Sequence, residues 1–176
     1  MTKDGAALVS LRSGSASSVA TGAAVLDHLL LELAEAGGFE LRLEVAPDEP
    51  ESEVEAAGAT VGDALLGLLD APGAAGRGTG IVAADEALAM VVVEHSGKPL
   101  VASNADLTST KAGGLRTDLA AAFLNGLAES AGLTIHVRLF EGEDSGHVLE
   151  AIFKALGVAL AQACSQPMEP GPSKRS

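Results

Sequence analysis

From Ala23 to Ala36 the apolar positions Val25, Leu26, Leu29, Leu30 and Leu33 recur at steps of three and four, and Gly37-Gly38 follow. This spacing predicts an amphipathic helix with a glycine stop. Phe39-Glu-Leu-Arg-Leu-Glu-Val45 then alternates apolar and charged residues, the period of a strand with one buried face. Pro47 and Pro50 bracket an acidic turn, and Glu51 to Leu69 returns to helical spacing through Val54, Val61, Leu65, Leu66 and Leu69. Ala71 to Thr79 reads as a loop. Its Gly-Arg-Gly-Thr-Gly string is a weak match to a phosphate cradle, because no strand-to-helix context surrounds it. Thr79 to Glu94 and Lys98 to Ser103 are strand candidates around the turn His95-Ser-Gly-Lys-Pro99.

The second half repeats this order. A helix is predicted over Asp118 to Ala131, then a strand Leu133-Thr-Ile-His-Val-Arg-Leu139, an acidic turn, and a helix from His147 to Cys164. Phe39 aligns with Leu133 and Glu35 with Glu129 at a shift of 94, while Glu55 aligns with Glu150 and Gly62 with Gly157 at a shift of 95. Two copies are too few for a solenoid, so the pattern predicts a duplicated α/β unit packed as two halves, residues 1–80 and 81–176, in one compact domain.

Composition narrows the function classes. The 176 residues carry 24 acidic and 11 basic side chains, a net charge of −13, with no Trp, no Tyr and four Phe. Neither a phosphate backbone nor stacked bases suit such a surface, so nucleic acid is not expected as a partner. No uninterrupted apolar run approaches the roughly 18 residues of a membrane span, and the N-terminal residues lack a signal pattern. The expectation is a cytoplasmic protein with no membrane partner. The single Cys164, in a helical run, reads as a small buried hydrophobe.

Four histidines are available for chemistry. His95 sits in a Gly- and Pro-containing turn and reads as solvated; His28 lies on the first helix; His136 interrupts the second strand where the first has Arg42; His147 opens the last helix three residues before Glu150. Glu51 and Glu55 occupy the corresponding place in the first repeat. Singly, each reads as a cap or a solvated side chain. Together, imidazole and carboxylate form a ligand set that suits manganese or zinc.

The strings Thr21-Gly-Ala-Ala-Val-Leu-Asp-His-Leu29, Asp85-Glu-Ala-Leu-Ala89, Ser96-Gly-Lys-Pro99, Gly132-Leu-Thr-Ile-His136 and Gly142-Glu-Asp-Ser-Gly-His-Val-Leu-Glu-Ala-Ile-Phe-Lys-Ala-Leu156 resemble, in order and spacing, the imidazoleglycerol-phosphate dehydratase family. The resemblance extends from Thr2-Lys-Asp4 to Pro172-Ser-Lys174. It implies an α/β (α+β) fold of two ribosomal protein S5 domain 2-like halves, each a four-stranded sheet covered by helices, with a left-handed crossover where pattern alone favours a right-handed one. It also implies a large homo-oligomer, possibly of 24 subunits, with active sites at subunit boundaries. The implied reaction is a lyase step of histidine biosynthesis, the elimination of water from a small phosphorylated imidazole. Manganese ions act in it as Lewis acids and template, and a carboxylate acts as base.

Carried over residue by residue, the resemblance implies a metal set of His28, Glu51, Glu55, His136, His147 and Glu150. Asp4, Glu55 and Glu150 are the carboxylates for proton transfer, and Arg77, Lys98, Ser173 and Lys174 the phosphate contacts. Three of the family's six histidines are replaced, by Glu51, Ser52 and Gly146. Glu51 can offer manganese an oxygen, Ser52 is a poor ligand, and Gly146 offers nothing. Further departures are Gly76 in place of an arginine, Ala83-Ala84 in place of Pro-Met, Lys98 in place of an arginine fork, and Asp4 in place of a longer glutamate. The expectation is impaired or altered dehydratase activity with one metal site rather than two. The alternatives are a catalytically silent structural or regulatory relative, or a related lyase with another substrate and one metal.

Overall fold

The computed structural model describes residues 5–11, 16–46, 50–105, 111–112 and 115–166. Each sequence-predicted helix and strand is present. β1 (Gly5–Leu11) and β2 (Ser18–Ala20) precede α1 (Ala24–Gly37), β3 (Phe39–Val45) and α2 (Pro50–Leu69). β4 (Arg77–Ala84), β5 (Ala87–His95), β6 (Leu100–Ser103) and the short β7 (Lys111–Ala112) and β8 (Leu115–Arg116) follow. The chain continues through α3 (Thr117–Ala131), β9 (Leu133–Glu141) and α4 (Ser145–Cys164). α1 stops where expected: Gly38 takes the left-handed conformation at φ 69°, and its N–H reaches the Ala34 and Glu35 carbonyls.

The repeat is visible in the strand pairing. In the first sheet, ordered β1-β3-β2, the central β3 is antiparallel to β1 and parallel to β2. In the second, ordered β4-β5-β9-β6, β9 is antiparallel to β5 and parallel to β6. Leu8 lies opposite Arg42 as Val92 lies opposite His136, so both halves share one register around equivalent strands. The expected four strands per half are found only in the second. Among the described residues the first sheet has three, because the partner matching β4 would have to precede Gly5, outside the described residues.

Each half's helix packs on the other half. α1 lies against α4 and α2 against α3, at repeat-related contacts. A Cβ on Gly157 would meet the Leu33 carbonyl oxygen at 2.1 Å, and one on Gly62 would meet the Leu127 carbonyl oxygen at 3.0 Å. Phe123 on α3 and Phe153 on α4 are fully buried with ring centroids 5.5 Å apart, so the two helix pairs share one core.

Several expectations need correction. The predicted loop ends at Gly76, and Arg77 to Thr79 belong to β4. Gly78 and Gly80 make no phosphate cradle; they let α4 approach, since a Cβ there would fall 1.9 and 2.0 Å from the Ala159 and Ala155 carbonyl oxygens. His95 ends β5, half-buried, with Nδ1 3.7 Å from the Asp70 carboxylate, and is not a solvated turn residue. Glu40, expected outward on β3, is buried and held by Arg42 at 3.0 Å. α4 is long and apolar enough to cross a membrane by length and composition, which the count of uninterrupted apolar residues overlooked. Most of it is buried against both halves, as a core helix is. Cys164 is buried as expected, and burial pushes its thiol up to about 11.

Candidate functional site

The start of α4 is built by local sequence and by one distant turn. Asp144 caps the helix, its carboxylate accepting from the Gly146 and His147 N–H groups at 2.8 and 3.1 Å. Opposite it stands the β4–β5 turn, Asp85-Glu86, with Asp85 in the left-handed region at φ 49°. Glu86 Oε1 accepts from the Asp144 N–H at 2.9 Å and the Glu143 N–H at 3.3 Å, and its Oε2 lies 2.5 Å from His147 Nδ1. The Asp144 N–H, then His147, hold the Glu86 carboxyl down at about 2, and the hydrogen bond to Glu86 raises His147 above the ordinary histidine value. An ionised carboxylate only accepts, so this contact calls for a proton on Nδ1. Nε2 faces Asp85 at 3.3 Å.

His147 and Glu150 line an open cleft of about 440 Å³ between α4 and α1, where His28, Val25 and Leu29 form the other wall and Gly146 leaves a gap. Lys154 bridges the two helices, its Nζ 2.8 Å from Glu150 and 3.2 Å from Glu32. The Lys154 ammonium lowers the Glu150 carboxyl below its usual range, desolvation opposes that shift, and the charges of Lys154, His28 and His147 add to it. His28 is placed by its neighbour. Asp27 accepts from the N–H and hydroxyl of buried Thr21 at 2.9 and 2.5 Å, pinning the start of α1.

The remaining candidates lie elsewhere. His136 is exposed on the face of β9 away from α4, in a separate cavity of about 270 Å³ with Ser103, Asn104 and Arg138. Asn104 borders that cavity by pairing both its amide groups with the Leu139 backbone, at 3.1 and 2.7 Å. Arg77 opens β4 opposite Glu94, while Asp85 and Glu86 follow its far end. At about 3.3 Å per residue, Arg77 and His147 are therefore roughly 20–25 Å apart. Lys98 is at Arg77's end, in a turn fixed by Ser96 Oγ, which accepts from the Lys98 N–H at 3.0 Å. Glu55 is exposed on α2, as is Ser52. Glu51 lies on α2 with its side chain outside the description, and Asp4, Ser173 and Lys174 lie outside the described residues.

The described donors of one chain do not by themselves fit a two-manganese centre. Among the described residues no three His, Cys, Asp or Glu side chains converge into a group able to hold a metal ion. His147 has a carboxylate at each ring nitrogen, Glu150 is tied to an ammonium, and His136 is behind the sheet.

The family model of imidazoleglycerol-phosphate dehydratase matches residues 21–160. A relative of that name from Clostridium botulinum (strain Kyoto) is 37% identical over 149 residues, covering 82% of this chain and 76% of the relative. One from Desulforudis audaxviator is 37% identical over 147 residues, covering 81% and 75%. The crystal structure of the Staphylococcus aureus dehydratase superimposes with a TM-score of 0.82 at 34% identity, covering 90% of this chain and 92% of that one. The Pyrococcus furiosus enzyme, solved in complex with (S)-C348, gives 0.80 at 29% identity, covering 99% and 97%. The chain belongs to the imidazoleglycerol-phosphate dehydratase family.

The family match spans His28, Glu51, Glu55, Arg77, Lys98, His136, His147 and Glu150. Of the predicted site residues, the structure brings His28, His147 and Glu150 to one cleft and leaves Glu55, His136, Arg77 and Lys98 apart from it. Sequence reasoning missed the groups that hold this cleft: Glu86, Asp85, Lys154 and Glu32. The four-residue step from Glu150 to Lys154 was a usable signal. Glu86, 61 residues from His147, left no signal beyond its place in a matching string.

Proposed function

We propose that this chain is a dehydratase-family subunit whose elimination of water from imidazole glycerol phosphate is impaired by an incomplete metal shell. The observation that carries this reading is the donor inventory. Positions 51, 52 and 146 hold Glu, Ser and Gly, and among the described candidate ligands only His28, His147 and Glu150 share a cleft. That set supports at most one divalent ion, manganese by its imidazole-carboxylate chemistry, completed by donors from another copy. When bound, the ion supplies Lewis acidity to the substrate ring.

The chain's own residues supply the rest. Glu150, kept ionised by Lys154, accepts protons as a weaker base than an ordinary glutamate. Arg77 and Lys98 offer positive charge to a phosphate, from the opposite end of the second sheet. That separation supports a site assembled between copies of the chain, and the homo-oligomer well above a dimer that the family resemblance implies would provide such boundaries.

The test is elemental analysis of the purified protein together with turnover on imidazole glycerol phosphate, for the natural chain and for the combined Glu51→His, Ser52→His, Gly146→His variant. A Cβ at Gly146 would meet only the Asp144 carboxylate, at 3.1 Å, so the backbone there accepts a side chain with a small shift of that carboxylate. The variant should approach two manganese ions per chain and gain activity. Changes around a metal are worth roughly 10- to 100-fold each in affinity or activity. Two ions per chain and turnover of about 1–10³ s⁻¹ in the natural protein would overturn the proposal.

A further inference from the structure

We infer that Glu86 is a positioning residue that fixes which ring nitrogen of His147 carries the proton and locks that ring to the first turn of α4. The inference rests on the reading that His147 belongs to the reaction site, and it adds a residue to which that reading gave no role. Glu86 uses both carboxylate oxygens. Oε1 takes the Asp144 and Glu143 N–H groups at 2.9 and 3.3 Å, and Oε2 takes His147 Nδ1 at 2.5 Å. The two backbone bonds fix the carboxylate's orientation, so Oε2 cannot leave the ring without breaking contacts at the helix start. Asp144, whose N–H Glu86 holds, is itself the cap that accepts from the His147 N–H at 3.1 Å. The ring and the backbone of one residue are thus held by two carboxylates that are themselves linked.

The consequence is chemical. A neutral imidazole has one N–H, and the partner of one nitrogen decides what the other can do. With Nδ1–H committed to Glu86, Nε2 is the nitrogen left to bind a ligand or take a proton. It lies beside the cleft, with Asp85 at 3.3 Å. Carboxylate partners of this kind orient ligand histidines and raise their basicity. The turn that supplies Glu86 is held in a specific shape, since Asp85 takes a left-handed conformation uncommon outside glycine, asparagine and aspartate.

Neutron diffraction from deuterated crystals of the full chain tests this without reference to catalysis. The natural protein should show deuterium on His147 Nδ1 in line with Glu86, with or without a second one on Nε2. Glu86→Gln should reverse the ring: the amide oxygen still accepts the two backbone N–H groups, and the amide nitrogen can then only donate to Nδ1, which forces the deuterium to Nε2. A natural ring bearing deuterium on Nε2 alone would overturn the inference, whether or not the variant folds. So would a variant in which Nδ1 keeps its deuterium. An inactive natural protein with the expected Nδ1 deuterium leaves the inference standing, so its failure and that of the dehydratase reading are separately visible. As a second measurement, Glu86→Gln should weaken binding of any divalent ion held at His147 by roughly 10- to 100-fold while leaving the thermal transition cooperative.

Discussion

The two interhelical seams are copies of one design used for different ends. In both, a helix of one half crosses a helix of the other at a repeat-related glycine, Gly157 on Leu33 and Gly62 on Leu127. Near the N-terminal end of the α1–α4 seam, His28 and Glu32 face Glu150 and Lys154 around a cleft. At the equivalent places of the α2–α3 seam stand Ala122, Gly126, Glu55 and Ala59, and the backbones close up. A Cβ on Gly126 would lie 2.4 Å from the Glu55 carbonyl oxygen. A gap left between helices and lined with ionisable groups is a candidate site; the same gap filled with backbone is core packing. Duplication supplied the geometry twice, and side chains at three positions, His28, Glu32 and Lys154 against Ala122, Gly126 and Ala59, separate the open seam from the closed one.

The largest effect is expected where the seams are tightest. Alanine at a helix-interior glycine gains about 1 kcal/mol in propensity. At Gly157 the new methyl would sit 2.1 Å from a backbone oxygen that cannot rotate away, so the helices must part. Overpacking of this kind costs about 1–3 kcal/mol, occasionally more. Gly157→Ala should therefore be destabilising by up to about 2 kcal/mol net, and Gly62→Ala, with its nearest atoms at 2.9 and 3.0 Å, close to neutral. Urea melts of the two variants check this. Equal losses would mean that the Gly62 crossing is as tight as the Gly157 crossing.

A second effect, of about 1 kcal/mol, is expected from Lys154→Met, which leaves Glu150 and Glu32 facing each other without the ammonium. Its pH dependence follows from the shifts. Glu150 is depressed, so its contribution is present above the ordinary glutamate value and lost as pH falls through the folded-state value. Lys154 is raised, so its contribution is present below the ordinary lysine value and lost as pH rises through the higher folded-state value. The stability gap between natural protein and variant should thus be flat around neutrality and close at both extremes. A gap that persists in acid below the glutamate range would place the loss in packing of the lysine stem.

Much of this architecture is legible in the sequence. The alternation in Phe39–Val45 and Leu133–Leu139, the leucine spacing of four helices and the 94- to 95-residue shift were sufficient for the equivalent strands and helices, because burial periodicity is a local property. β1 and β2 are not legible in the sequence. Their small residues carry little alternation, and pairing with β3 is what makes them strands. Glycines 58, 62, 126 and 157 look like helix weaknesses along the chain and become contact points only when a second helix is placed across them. The same limit applies to the site. His28, His147 and Glu150 were found by type and spacing, but their gathering into one cleft, the exile of His136 to the far face of β9, and the hold of Glu86 on His147 all depend on tertiary neighbours.

The smallest effect is the most discriminating for the comparison. Ala59 occupies on α2 the place that Lys154 occupies on α4, four residues after Glu55 as Lys154 follows Glu150. Ala59→Lys recreates the within-helix half of the cluster on the other seam, where the residue equivalent to Glu32 is Gly126. If Lys154 owes its worth to the four-residue pair alone, Ala59→Lys should stabilise by about as much as Lys154→Met destabilises. If the third group matters, Ala59→Lys gains only the few tenths expected of an exposed pair, about 0.2–0.5 kcal/mol. The second outcome is expected, because Lys154 Nζ reaches Glu32 at 3.2 Å across the seam while backbone occupies that space beside Ala59. Chemical denaturation of both variants at neutral pH and two salt concentrations decides it. The gain at Ala59 should fade with salt, as interactions between exposed charges do. The loss at Lys154, whose side chain is about a quarter exposed at 26%, should fade less.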